Sequence, residues 1–117
     1  MAVTVVGNTV RLQPAGSPTA NVANIVTKTN TFLITNANAS TYVYAGVFST
    51  YAEAAALDHP AVGTDGGGVL VPPNQSITVI GNFGLQQLAN QSTVYVAAVT
   101  NTGTTSVHFT PVAPGSA

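Results

Sequence analysis

The sequence predicts an all-β protein: a single antiparallel β-sandwich, jelly-roll-like or immunoglobulin-like, of seven to eight short strands. One short helix near 50–57 and an extended N-terminal arm complete the expectation. Three observations lead there. Val, Ala and Thr dominate the chain, with Asn close behind; Val and Thr are branched at Cβ and fit a pleated surface, while Asn and Gly supply turns. Apolar residues recur with a period of two, as at Val43, Ala45 and Val47 or at Val94, Val96 and Ala98, the spacing that places side chains on one face of a strand. Turn signals separate these runs, and strands rarely alternate with helical segments, which disfavours a parallel α/β fold. No repeat of fixed period points to a solenoid.

The elements follow in order. Val3–Val6 and Thr9–Gln13 flank Gly7-Asn8, which reads as a tight hairpin turn. Pro14-Ala15-Gly16-Ser17-Pro18 breaks regular structure, and the chain to Asn24 reads as loop or arm. The expected division is therefore 1–24 as N-terminal hairpin, arm and loop, and 25–117 as the sandwich. Ile25–Thr35 reads as one strand, with Phe32 and Ile34 sharing a face; Asn36-Ala37-Asn38-Ala39-Ser40 is a turn. Thr41–Phe48 is the strongest strand, with Val43, Ala45 and Val47 on one face and Tyr42, Tyr44 and Phe48 on the other. Both faces can be covered, so it is central or half-used at an interface. Thr50-x-x-Glu53 has the spacing of a capping box and opens a short Ala-rich helix that Pro60 stops at the latest. Val69–Val71, Gln75–Ile80 (Ile77 and Val79 inward), Thr93–Thr100 and Thr104–Thr110 (Val107 and Phe109 inward, His108 outward) read as strands. Gly81–Ser92 reads as loop, with at most one helical turn around Leu85–Ala89. Asn101-Thr102-Gly103 reads as a hairpin turn, and Pro111 onward as an extended tail.

Charge is the unusual feature. Only 4% of residues are charged, although 45% are hydrophobic, and the net charge is −1; soluble domains ordinarily carry about 25% charged residues. Two basic residues neutralise few phosphates, which argues against a nucleic-acid binder, and no polybasic segment offers a membrane anchor. No run approaches the roughly 18 apolar residues of a membrane-spanning helix, and Met1–Val5 lacks the basic start and apolar core of a secretory leader. With no cysteine in the chain, disulfides and thiolate chemistry are excluded.

The ionisable supply for catalysis is short: Arg11, Lys28, Glu53, Asp58, His59, Asp65 and His108, with four tyrosines. Asp58-His59-Pro60 with Asp65 offers a weak metal or hydrolase cluster, but a metal wants three or more converging ligands, and a helix terminus accounts for the pair. Gly66-Gly67-Gly68 lacks the Lys and Ser/Thr of a phosphate loop. Ser, His and Asp are all present, but no Gly-x-Ser-x-Gly elbow occurs. Neither an enzyme nor a cofactor is expected. Asn38-Ala39-Ser40, Asn74-Gln75-Ser76 and Asn90-Gln91-Ser92 have the form of glycosylation sequons, which an Asn/Ser-rich chain produces by chance. The alternating threonines of Thr27–Thr31 invite an ice-binding face, but strand preference explains them. Tyr42, Tyr44, Phe48 and Tyr51 form an aromatic group, either a surface for sugars or a protein partner, or packing beneath the helix or N-terminal segment.

The order of several segments resembles a known group of proteins. Thr41-Tyr42-Val43-Tyr44-Ala45-Gly46-Val47-Phe48 follows the turn after Ile34-Thr35-Asn36. Val71-Pro72-Pro73-Asn74-Gln75-Ser76-Ile77-Thr78-Val79 comes next, then Val94–Val99, Thr102-Gly103-Thr104 and Val107-His108-Phe109-Thr110-Pro111. Over roughly Thr31–Pro114 this is similar to small virion proteins of tailed bacteriophages, especially head decoration or cement proteins with a β-sandwich body. In these a Pro-rich turn leads into a strand, and a late strand pairs through a Gly-Thr hairpin with a final strand ending in Thr-Pro. Thr50–Pro60 is longer and more helical than in the simplest members, and Met1–Asn24 lies outside the likeness. The resemblance implies a protein made in the host cytoplasm and held on the outer capsid surface. Its partners would be the major capsid protein and itself, as a trimer or a dimer, with no nucleic acid and no membrane. The residues expected at such contacts are Val3, Val5 and Arg11 in the arm, which could add strands to a neighbour's sheet, and Tyr42, Tyr44 and Tyr51. The rival expectation is a receptor- or carbohydrate-binding sandwich of a fibre or cell-surface adhesin.

Overall fold

In the computed structural model, which describes residues 5–14, 20–27, 29, 31–38, 40–58, 63, 67–80, 92–100 and 105–112, the regular elements are eight strands and one helix. They are β1 (Val10–Leu12), β2 (Asn21–Thr27), β3 (Thr31–Asn36), β4 (Val43–Phe48), α1 (Tyr51–Ala55), β5 (Val69–Val71), β6 (Gln75–Ile80), β7 (Ser92–Thr100) and β8 (Val107–Val112). Two four-stranded sheets result, in the orders β1-β8-β3-β6 and β2-β7-β4-β5, with every pairing antiparallel. First strand pairs with last, second with seventh, third with sixth and fourth with fifth. This is the pattern of one long ribbon rolled over into two stacked sheets, so the sandwich is a jelly roll and not the immunoglobulin arrangement.

Period-two alternation builds the core. Phe32 and Ile34, Val43 and Ala45, Val94, Val96 and Ala98, and Val107 and Phe109 all point between the sheets with Leu12, Ile25 and Val71. Ile77 and Val79 pack against its rim. A second, smaller cluster lies on the outer side of the β2-β7-β4-β5 sheet, where Ala54 and Leu57 cover Tyr44, Ala97 and Val99. The helix does this because its start is fixed. Thr50 caps it, its hydroxyl oxygen accepting from the Glu53 N–H (3.3 Å), and the Glu53 carboxylate in turn accepts from the hydroxyls of Thr50 (3.0 Å) and Ser49 (3.2 Å). The predicted helix is therefore present with the Thr50 half of the capping box, the Glu53 carboxylate meeting the Thr50 hydroxyl rather than its backbone N–H, and β4 is a central strand covered on both faces.

Several local expectations give way to long-range pairing. The boundary expected after Asn24 falls inside β2, so the first 24 residues supply strands to both sheets. Gly7-Asn8 is not a hairpin turn. Val5 bridges Val112 and Val10 pairs with Phe109, so both flanks lie along β8 with Gly7 to Thr9 bulging between them. The bulge answers a chemical need. The Val6 N–H donates to the Pro111 carbonyl (2.9 Å), so the Pro111 nitrogen, which has no proton to give, faces the same side. Gly7 lies so near the proline ring that a Cβ there would sit 3.1 Å from Pro111 Cγ. That arrangement carries β8 through Pro111 to Val112, where the sequence suggests a tail.

The single strand expected over Ile25–Thr35 is two strands in different sheets, turned at Thr29. Its buried hydroxyl donates to the Val112 carbonyl (2.7 Å) and accepts from the Thr31 N–H (3.2 Å). Thr29 and Thr31 are both buried, so no exposed threonine array exists there. The predicted hairpin at Asn101-Thr102-Gly103 lies outside the described residues, but its flanks, β7 and β8, belong to different sheets and do not pair. The same holds across Pro72-Pro73-Asn74, where Asn74 takes a left-handed φ of 58° that asparagine tolerates. Among the described residues, β4 and β5 are the only consecutive strands that pair.

Candidate interaction surface

The two outer faces of the sandwich differ. On the β1-β8-β3-β6 sheet, alternation turns Arg11, His108, Thr35 and Ser76 outward in one cross-strand row. Thr110, Leu33 and Thr78 form parts of the next row. The hydroxyls bind one another, Thr9 with Thr110 (2.8 Å) and Thr35 with Ser76 (2.8 Å). This produces a hydroxyl-rich face on which Arg11 is the single formal charge among the described residues.

The outer face of the β2-β7-β4-β5 sheet is aromatic. Tyr44 packs beneath α1 with only 7% exposure, and its hydroxyl accepts from the Gly68 N–H (2.9 Å). It is a structural residue, closed to a partner. Tyr51, on the helix, is 61% exposed and meets Tyr95 edge-on, with ring centroids 6.0 Å apart and planes at 81°. Tyr95 stands between Asn24 and Phe48 in register, and the exposed Val26 lies two residues beyond Asn24 on β2. Tyr42, just before β4, is 51% exposed. The expected aromatic group is thus divided: Tyr44 and Phe48 serve packing, while Tyr51 and Tyr42 reach solvent.

The expected arm contacts lie elsewhere. Val5 is exposed and bridged to Val112 of its own chain, Arg11 is exposed at the middle of β1, and Val3 lies outside the described residues. The five described residues are divided between the two sheets: Val5 and Arg11 lie along β8, while Tyr42, Tyr44 and Tyr51 belong to β4, its approach and the helix beside it. Among the described residues, Val6, Val26, Leu70 and Ile80 are also large apolar residues that stand exposed. Alternation carries the signal for Ile80, since Ile77 and Val79 face inward, but alternation alone does not show that its strand is an edge.

A cleft of about 210 Å³ opens between β4, β5 and β6, lined by Ala45 to Val47, Gly67 to Val69, Val79 and Ile80. No lining side chain bears a polar atom, so the cleft offers shape but no orienting group. Its wall depends on Gly68: a Cβ there would lie 2.5 Å from the Ala45 carbonyl oxygen and 3.0 Å from the Tyr44 ring. Backbone cannot yield as a side chain can, so G68A should destabilise the fold by about 1–3 kcal/mol. Urea unfolding checks this; a midpoint unchanged from wild type would contradict the close approach.

Asp58 is described, whereas His59 and Asp65 lie outside the described residues. Among the described residues no three His, Cys, Asp or Glu side chains gather as metal ligands, and no helix is long and apolar enough to cross a membrane. Comparison with protein-family models, curated proteins and solved structures finds no significant match.

Proposed function

We propose that this chain is a structural virion protein that decorates and stabilises a bacteriophage capsid by non-covalent binding to the major capsid protein and to itself. The observation that carries the reading is the pairing of a jelly-roll sandwich with a surface nearly free of charge, on which Val5, Tyr42, Tyr51, Leu70 and Ile80 stand exposed. Such a surface forgoes the usual charge-based protection against association, and it docks without desolvating many charges. The resemblance to head decoration proteins over Thr31–Pro114 adds the capsid as the partner and its outer surface as the location. The contact residues favoured by exposure are Val5, Arg11, Tyr42 and Tyr51. Tyr44 leaves the set because its ring is buried.

The test is co-sedimentation of the purified protein with emptied heads of a phage that encodes it. Saturable binding is expected, nearly unchanged between about 50 mM and 0.5 M salt because few charges take part. Y51A or Y42A should weaken binding by about tenfold or more if either ring is a central anchor, with the melting temperature unchanged. Deleting the first 13 residues would be a poor test, since it removes β1 and the core residue Leu12. Absence of binding to heads, or binding abolished by moderate salt, overturns the reading.

A second reading, a receptor- or carbohydrate-binding module, is favoured by one feature: exposed Tyr51 set against Tyr95 beside Asn24, an aromatic surface with an amide at its margin. A glycan array separates the two readings. Binding that Y51A abolishes would support this one, and a blank array would count against it.

A further inference from the structure

Four strands form the sheet edges: β1 and β6 in one sheet, β2 and β5 in the other. An edge offers backbone N–H and C=O groups to another strand, and proteins usually blunt it by short length, proline, charge or cover. Three of these edges are blunted. β1 and β5 run three residues each, and Arg11 stands at the centre of β1. β2 is longer, but the Gln13 N–H binds the Asn21 side chain at its start (3.0 Å) and Lys28 follows its end.

Among the described residues β6 has none of these devices. Its six residues, Gln-Ser-Ile-Thr-Val-Ile, pair with β3 on one side, and among the described residues no strand pairs on the other. It contains no proline or charge, and no Asp, Glu, Lys or Arg follows Asp65 anywhere in the chain. Ser76 and Thr78 are exposed, and Ile80 is 68% exposed.

The strand is also its own complement. When two copies run antiparallel about a two-fold axis at Thr78, each Thr78 faces its counterpart, Ile77 faces Val79 and Ser76 faces Ile80. Directly opposed residues share a face. This register therefore keeps Ile77 and Val79 on the core side in both copies and Ser76, Thr78 and Ile80 on the outer side. A shift by one residue would turn one sandwich over relative to the other. The aliphatic pairs flank a central Thr–Thr pair, and a neutral edge meets a neutral edge with no like charges opposed. The contact is isologous, so it closes at two copies.

We infer that β6 is a homodimerisation edge, joining the β1-β8-β3-β6 sheets of two copies into one continuous eight-stranded sheet. This deepens the self-association within the proposed function but needs no capsid. It commits to a dimer, whereas a ring of three would require two different edges to meet.

Sedimentation equilibrium of the purified full chain tests it. Wild type is expected at twice the monomer mass. T78K and T78E should each weaken self-association by about tenfold or more, since like charges would then meet at the axis, while far-UV circular dichroism stays that of wild type. An equimolar mixture of T78K and T78E should restore the dimer, because opposite charges then meet. A monomeric or trimeric wild type overturns the inference, as does either variant associating as tightly as wild type, or a mixture that fails to restore the dimer. No capsid enters the experiment, so its failure and a failure to bind heads are told apart.

Discussion

N36A is expected to lower the unfolding free energy by about 3 kcal/mol, a large share of the roughly 5–15 kcal/mol that holds a domain together. Asn36 ends β3 with its side chain fully buried and both amide donors and the amide oxygen engaged. Its Nδ2 donates to the carbonyls of Thr41 (2.7 Å) and Val71 (3.1 Å), and its Oδ1 accepts from the Thr105 hydroxyl (2.9 Å). One side chain thereby ties the end of β3 to the turn entering β4, to β5 in the facing sheet, and to the segment before β8. Alanine removes all three bonds and leaves their partners wanting, which costs more than the bonds themselves contribute.

N36D sharpens the prediction. It keeps the shape but sets a carboxylate against two carbonyl oxygens, so at pH 7 it should destabilise more than N36A. Burial raises such a carboxyl's pKa in the folded state above the unfolded value of about 3.9. The folded state then binds the proton more tightly, and stability is regained as pH falls through the raised folded pKa. Urea unfolding of both variants and wild type at neutral and mildly acid pH reads this directly. A loss in N36D that stays constant relative to wild type across that range would contradict the geometry.

F109A should cost about 3–5 kcal/mol. Phe109 lies on the interior strand β8, opposite Val10 on one side and Ile34 on the other, with no exposed surface. Its ring fills the space between the sheets, and backbone ladders on both sides hold β8 in place, so the cavity collapses little. A thermal melt should fall by roughly 15 °C for a chain of this size. A shift of only a few degrees would mean that the sheets close over the gap.

Much of this architecture is legible in the sequence because strand faces are a local property. Phe32 with Ile34, Val43 with Ala45, Val94 with Val96 and Val107 with Phe109 all face the core that their alternation predicts. The helix cap at Thr50 is legible for the same reason, since its partner, the Glu53 N–H, lies within one turn. β2 is missed at its start, where Asn21-Val22-Ala23-Asn24 has little strand character of its own and pairing with β7 supplies the order. Ile25–Thr35 reads as one strand because threonines preserve β composition through the crossover at Thr29. The candidate contact residues are half legible: alternation puts Tyr42 and Tyr44 on one side of β4, but it does not show that α1 folds over Tyr44 and leaves Tyr42 exposed.

The sequence by itself determined the strand character and apolar faces of most segments after Asn24, and that the chain carries almost no charge. Only the tertiary structure decided which sheet each strand joins, and hence that the sandwich is a jelly roll with β6 at the edge of its sheet. Turn residues specify that the chain reverses. Whether the next strand then pairs beside its predecessor or crosses to the facing sheet depends on where its apolar face is best buried, against residues far away in sequence.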